Sequence, residues 1–120
     1  LLEPHRRIRY QLGELTTAEN GTFLIYSPSL SDGRRRLRTV SRAVERMAKR
    51  VGAEMEFFTV EGIPSTFVYY KKNGGDRMPV YTDLGKEGRK EEEVFHSILS
   101  VVFALSFLPS FSGFENVRGG

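Results

Sequence analysis

With 120 residues, 39% hydrophobic and 28% charged, the chain has the size and composition of one folded domain that buries a core without staples. It has no cysteine, which excludes disulfides, thiolate catalysis and zinc–thiolate sites, and its two histidines, His5 and His96, lie too far apart in sequence for a histidine-rich metal site. The formal charge is +3 and the pI ≈ 9.4, so basic groups dominate and their placement matters more than their sum.

Residues 1–7, LLEPHRR, read as an irregular lead-in, followed by a domain over residues 8–109 and a C-terminal tail over 110–120. The start at Leu1 rather than Met is compatible with a removed targeting peptide. Ile8, Tyr10 and Leu12 alternate with polar residues in IRYQLGEL, which predicts a half-buried strand over Ile8–Leu15. Asn20-Gly21 supplies a turn, and the apolar run TFLIY (22–26) predicts a strand buried on both faces.

Ser31 and Asp32 are N-cap residues for a helix that begins near Gly33. Leu37, Val40, Ala43, Val44, Met47, Ala48 and Val51 then recur in steps of three and four, giving one buried stripe, and Gly52 is the natural C-cap. Strands are predicted over 53–60 (AEMEFFTV), 66–70 (TFVYY) and 78–82 (MPVYT), with an Asn73-Gly74 turn and with Pro79 placing the last strand at an edge. Glu91, Glu92 and Glu93 suit the N-terminus of a closing helix whose inner face is Val94, Phe95, Ile98, Leu99 and Val102. Beyond Val101 the pattern VVFALSFL is apolar all round until Pro109. That segment is too short to span a bilayer and calls for a protein to cover it, through Phe103, Leu105, Phe107 and Leu108. The order ββαβββα predicts an α/β fold, a mixed sheet of four to five strands with two main helices in a thioredoxin-like arrangement.

The most lopsided charge in the chain lies on the first helix. Arg34, Arg35, Arg36, Arg38, Arg42, Arg46, Lys49 and Arg50 face a single acid, Glu45. Arg38, Arg42 and Arg46 recur at i+4 and share a face. Arginines at a helix N-terminus oppose the macrodipole, and a local rule broken without visible compensation points to function. Guanidinium groups suit bidentate phosphate contact, which positions a nucleic-acid backbone without reading its sequence; a solvated helix face has the same pattern. Phe67, Tyr69 and Tyr70, followed by Lys71, Lys72 and Arg77, could offer stacking surfaces, or could be one side of a sheet core and its turn.

The enzymatic inventory is thin. Asp32, Asp76 and Asp83 fall in predicted turns, where caps and surface solvation explain them, His96 lies on the closing helix, and the glycine pairs lack the strand–loop–helix setting of a phosphate loop. No serine sits in a nucleophile motif. The expectation is a non-enzyme with no cofactor, no metal and no small-molecule substrate.

TFLIYSPSLSDGRRRL is similar to a thioredoxin-type strand–turn–helix in which Leu30 and Gly33, or their neighbours, stand where reactive thiols would be. Gly62-Ile63-Pro64-Ser65-Thr66 resembles the strand entry that carries the cis-proline of that fold. The link from AEMEFFTV to Ile63-Pro64 is too short for the usual crossover helix. Together with RYQLGELT, Pro64 through Tyr70-Lys71-Lys72-Asn73-Gly74 and EEVFHSIL, this resembles a divergent branch of the fold. Mitochondrial ribosomal proteins and a small accessory subunit of respiratory complex I share that branch. RYQLGEL and the basic helix are most similar to the large-subunit ribosomal member. The resemblance covers roughly residues 9–105, with a helix-opening turn a few residues longer than the family pattern.

It implies a redox-inactive structural protein of the mitochondrial matrix. Combined with the charge pattern, it predicts that Arg34, Arg35, Arg36, Arg38 and Arg42 contact rRNA phosphates or an acidic neighbour, with Arg46, Lys71 and Lys72 also among the nucleic-acid-binding residues, while the closing helix docks on neighbouring proteins. A complex I accessory subunit, or a free redox-dead module holding peptides beside Pro64, are the alternatives.

Overall fold

Periodicity and turn chemistry place six of the seven elements where they occur in the computed structural model, which describes residues 3–8, 21–28, 34–72 and 75–105. The elements are β1 (Glu3–Ile8), β2 (Thr22–Ser27), α1 (Arg34–Val51), β3 (Glu54–Thr59), β4 (Phe67–Lys71), β5 (Arg77–Thr82) and α2 (Glu91–Leu105). The displaced element is the first. Residues 3–7, expected as irregular, form β1 together with Ile8, and residues 9–15 of the strand expected at Ile8–Leu15 lie outside the described residues. β1 pairs antiparallel with β3 along one edge of the sheet, with a register shift between Pro4 and Arg6. An edge strand tolerates a proline, so the segment forms without the alternation that a half-buried strand shows. The expected turn residue Asn20, caps Ser31 and Asp32, and turn Asn73-Gly74 also lie outside the described residues, as do residues 106–120.

The sheet is mixed, in the order β1-β3-β2-β4-β5. β2 runs parallel to β3 and antiparallel to β4, and β4 runs antiparallel to β5. β2 is therefore central, and its apolar run is buried on both sides. Phe23 and Ile25 join the helix-facing core, while Leu24 and Tyr26 are covered on the other face beside Glu56, Phe58 and Tyr69. Pro79 stands exposed on β5 at the opposite edge, where its missing N–H breaks no inner ladder.

Both helices belong to the same core layer and pack against each other. The predicted stripe of α1 is fully buried at Val40, Ala43, Val44, Met47, Ala48 and Val51. Truncating a residue such as Met47 in this layer costs about 2–5 kcal/mol in transfer and cavity terms. Gly52, at φ +73°, ends the helix, and the Ala53 N–H donates to the Ala48 carbonyl at 2.8 Å, a Schellman closure. At the start of α2, Glu93 accepts from the Lys90 N–H at 3.0 Å, half of a capping box. The inner face of α2 is Val94, Phe95, Ile98, Val102 and Leu105.

Leu105, expected on a protein-docking surface, is instead 8% exposed within the core, because the core stripe runs one turn further than the all-round apolar pattern suggests. Phe103 on the same helix is 42% exposed, and Phe107 and Leu108 lie outside the described residues. No helix among the described residues is long and apolar enough to cross a membrane.

Gly21 enters β2 at φ +84°, where an added Cβ would run into the Tyr70 hydroxyl and come within 2.8 Å of the Lys71 carbonyl. Gly62 has a similar φ of +85° with open space around it. Urea denaturation should therefore show Gly21→Ala losing about 3 kcal/mol, from backbone strain plus overpacking, and Gly62→Ala about 1 kcal/mol, from strain alone. Equal losses would contradict the packing of Tyr70 against this glycine.

Candidate nucleic-acid interface

A run of eight bases along one helix cannot all serve one purpose, because their side chains point in different directions around its axis. Arg36, in the first turn of α1, points towards the β5–α2 connection. Its Nε donates to Asp83 Oδ2 at 2.8 Å and its Nη2 to Asp83 Oδ1 at 2.6 Å, a bidentate pair, while Nη1 donates to the Arg89 carbonyl. Asp83 is 1% exposed and Arg36 20%. The Tyr81 hydroxyl donates to Asp83 Oδ1 at 2.7 Å, so the carboxylate is held from two elements. The hydrogen bond to Asp83 raises the Arg36 pKa, and burial, followed by the bond to Asp83, pushes the Tyr81 hydroxyl well above its ordinary value.

Two sequence readings change here. Asp83 is a buried partner rather than a solvated turn residue, and Arg36 is a structural arginine rather than a phosphate contact. The compensation missing from the sequence of the first turn comes from a residue 47 positions away.

Arg46 is also committed within the fold. Its Nη1 donates to Glu92 Oε1 at 2.6 Å and approaches Glu91 Oε2 at 3.4 Å, and its guanidinium carbon lies 4.1 Å from the centre of the Phe95 ring. The acid triplet of α2 is thus divided, with Glu93 capping and Glu91 and Glu92 holding α1. The hydrogen bond from Arg46 lowers the Glu92 pKa. Lys49 pairs with Glu45 at 3.3 Å, one turn apart.

Arg35, Arg38 and Arg42 remain. Steps of three and four place them on one side of α1, all three are exposed, and no hydrogen bond or ion pair holds their side chains among the described residues. Arg34 is the first residue of α1, and Arg50, near its end, is exposed. The outward face of α1 therefore carries a guanidinium stripe directed away from the sheet.

Strand alternation splits the second candidate group. Tyr70 points into the core, 1% exposed and with its ring centre 5.3 Å from that of Phe23, and burial raises its pKa well above the ordinary value. Phe67 and Tyr69 face the other side with Tyr26 and Phe58. There Lys71 and Lys72 border an open groove of about 650 Å³, whose walls also include Glu54, Glu56, Asp76 and Arg77. The two lysines therefore lie across the sheet from the α1 stripe and form no continuous patch with it. Sequence reasoning groups these bases because it cannot see the sheet between them.

Replacing one member of a buried ion pair strands the other charge, whereas replacing both with apolar groups of similar volume does not. Asp83→Asn should cost about 3 kcal/mol in chemical denaturation, and Arg36→Met with Asp83→Leu should recover much of that loss. A double variant no more stable than Asp83→Asn would mean the two side chains are not coupled. A lowered Glu92 pKa contributes stability above the carboxylate's unfolded pKa, and this is lost as pH falls through the folded value. Between about pH 5 and pH 3, Glu92→Gln and Arg46→Gln should each flatten the fall in stability relative to the unsubstituted chain. Identical pH profiles would show that the Arg46–Glu92 contact is not formed in solution.

No protein-family model, curated protein or solved structure matches the chain, so a role is argued from this geometry and from the motifs in the sequence.

Proposed function

We propose that the protein is a non-catalytic structural component of a ribonucleoprotein assembly that grips an RNA backbone through Arg35, Arg38 and Arg42. The observation that carries this reading is the division of the α1 bases. Arg36 and Arg46 are paired with acids of the fold, Arg36 in a buried pair and Arg46 at the surface, while three guanidinium groups on the outward face have no acidic partner among the described residues. From Arg35 to Arg42 the stripe extends about 10 Å along the helix. A duplex backbone carries a charge about every 1.7 Å of its axis, so a stripe of this length faces several phosphates at once. Arginine adds bidentate geometry at each contact.

The resemblance in the motifs points to the large subunit of the mitochondrial ribosome, in the matrix, with a redox-inactive thioredoxin-like domain. Supporting that reading are a parallel β2–α1–β3 unit, an antiparallel β4–β5 pair and a closing helix on the α1 side. The connection from β3 to β4 holds no helix, as the divergent branch implies; the Ile63–Pro64 bond is trans, unlike the cis-proline of the strand entry that this segment resembles. Phe103 offers an exposed apolar contact to a neighbouring protein.

The test must spare Arg36, whose loss would unfold the site rather than probe it. Arg35→Gln, Arg38→Gln and Arg42→Gln together should leave the unfolding transition unchanged while weakening RNA binding. They should also reduce the slope of log affinity against log salt by about 2 to 3, close to one for each phosphate no longer neutralised. Unchanged affinity and slope would reject the stripe as the RNA-binding surface. Co-sedimentation of the native protein with an inner-membrane complex, instead of ribosomal particles, would favour the complex I reading.

A further inference from the structure

The face of the sheet turned away from both helices carries a feature that the α1 stripe does not explain. Lys71 and Arg77 are direct cross-strand partners on β4 and β5, and both are exposed on this face. Like charges placed opposite one another destabilise a strand pair, and no ion pair relieves Lys71 among the described residues. Beside them lies an aromatic cluster. Tyr26 stacks on Phe58 with ring centres 5.1 Å apart, and Tyr69 meets Tyr26 edge-on at 5.4 Å. Arg77 donates to the Tyr26 hydroxyl at 2.7 Å, and its guanidinium carbon lies 5.7 Å and 5.8 Å from the Tyr26 and Tyr69 ring centres.

Arg77 thus stands between two hollows. One is the groove bordered by Lys71 and Lys72. The other is an apolar hollow of about 270 Å³, lined by Tyr26, Val60, Ile63, Phe67, Tyr69 and Arg77.

We propose that this face binds an unpaired nucleotide of single-stranded RNA, with the base seated on Tyr69 in the apolar hollow and the phosphate between Arg77 and Lys71. The chemistry fits each part of the site. A planar base gains stacking and cation–π contact from the half-buried ring and its guanidinium, and the phosphate relieves the cation pair. The groove's walls also carry the acids Glu54, Glu56 and Asp76, so the phosphate contact is assigned to the Lys71–Arg77 pair and not to the groove as a whole. This inference rests on the RNA-binding reading but uses the opposite side of the sheet. The α1 stripe reads backbone charge of either form of RNA, whereas this face requires a base free of its pair.

Binding is measured by fluorescence anisotropy, using an oligouridylate of about ten nucleotides and an RNA duplex of equal length. Denaturation curves confirm that each variant is folded. Tyr69→Leu keeps an apolar side chain but removes the stacking surface, and Lys71→Gln removes one of the opposed cations. Each should weaken the single strand about tenfold and leave the duplex unchanged. The combined Arg35, Arg38 and Arg42 variant should weaken the duplex.

Single-strand affinity left unchanged by both sheet-face substitutions would overturn the proposal. So would equal weakening of duplex and single strand, or displacement of the oligonucleotide by inorganic polyphosphate at equal phosphate concentration. Binding of an extended mixed-charge peptide with no binding of oligouridylate would make the face a peptide groove and would also overturn it. Duplex binding unaffected by the α1 variant would sink the stripe alone, leaving the sheet face to be judged on Tyr69.

Discussion

The bidentate pair between Arg36 and Asp83 joins the first turn of α1 to the loop that follows β5, and the placement of the outward arginines depends on it. A carboxylate that is 1% exposed is unfavourable unless its charge and lone pairs are met. Here Arg36 and the Tyr81 hydroxyl meet them, and no buried side-chain nitrogen or oxygen among the described residues lacks a partner. The arrangement also answers the helix macrodipole, since the cation in the first turn is accompanied by an anion held against it. Such a pair adds less net stability than its short distances suggest, because desolvation offsets much of the attraction. Together with the buried stripe from Val40 to Val51, it fixes how α1 is rotated over the sheet, and therefore which bases turn inward and which outward.

Arg46 does the same at the other end of the helix interface, over Phe95 and against Glu91 and Glu92. With Arg36 and Arg46 both turned towards α2 and its preceding loop, Arg35, Arg38 and Arg42 are left on the outer side. The functional reading follows from this partition more than from the number of bases. It also separates two surfaces, a charge-bearing helix face on one side of the sheet and an aromatic face with opposed cations on the other. On the proposed reading, the helix stripe would hold one stretch of RNA by its backbone and the sheet face another by an unpaired base.

Most of the fold is legible in the sequence because its signals are local. The 3- and 4-residue steps from Leu37 to Val51, the cap at Gly52 and the alternation in Phe67-Val68-Tyr69-Tyr70 each report on a neighbourhood of a few residues. β1 escapes such a reading because Ile8, Tyr10 and Leu12 alternate more cleanly than Pro4, Arg6 and Arg7, and an edge strand need not alternate. Leu105 reads as a surface residue because an all-round apolar pattern cannot say which side the core takes. Asp83 is the larger omission. An arginine in a first helical turn implies a carboxylate somewhere, but nothing local distinguishes Asp83 from Asp32 or Asp76. The choice is made by the sheet, which carries Tyr81 and Asp83 to the start of α1. Strand alternation, by contrast, is enough to separate Tyr70 from Tyr69 in advance.

The division of the arginines is observed most directly by NMR of their side-chain Nε–H groups as RNA is titrated in. The Arg36 signal should be protected from solvent exchange before RNA is added and should not move afterwards, while those of Arg35, Arg38 and Arg42 shift together with saturation. A rapidly exchanging Arg36 that shifts with RNA, or an outward stripe that remains unperturbed at saturation, would contradict this division of roles.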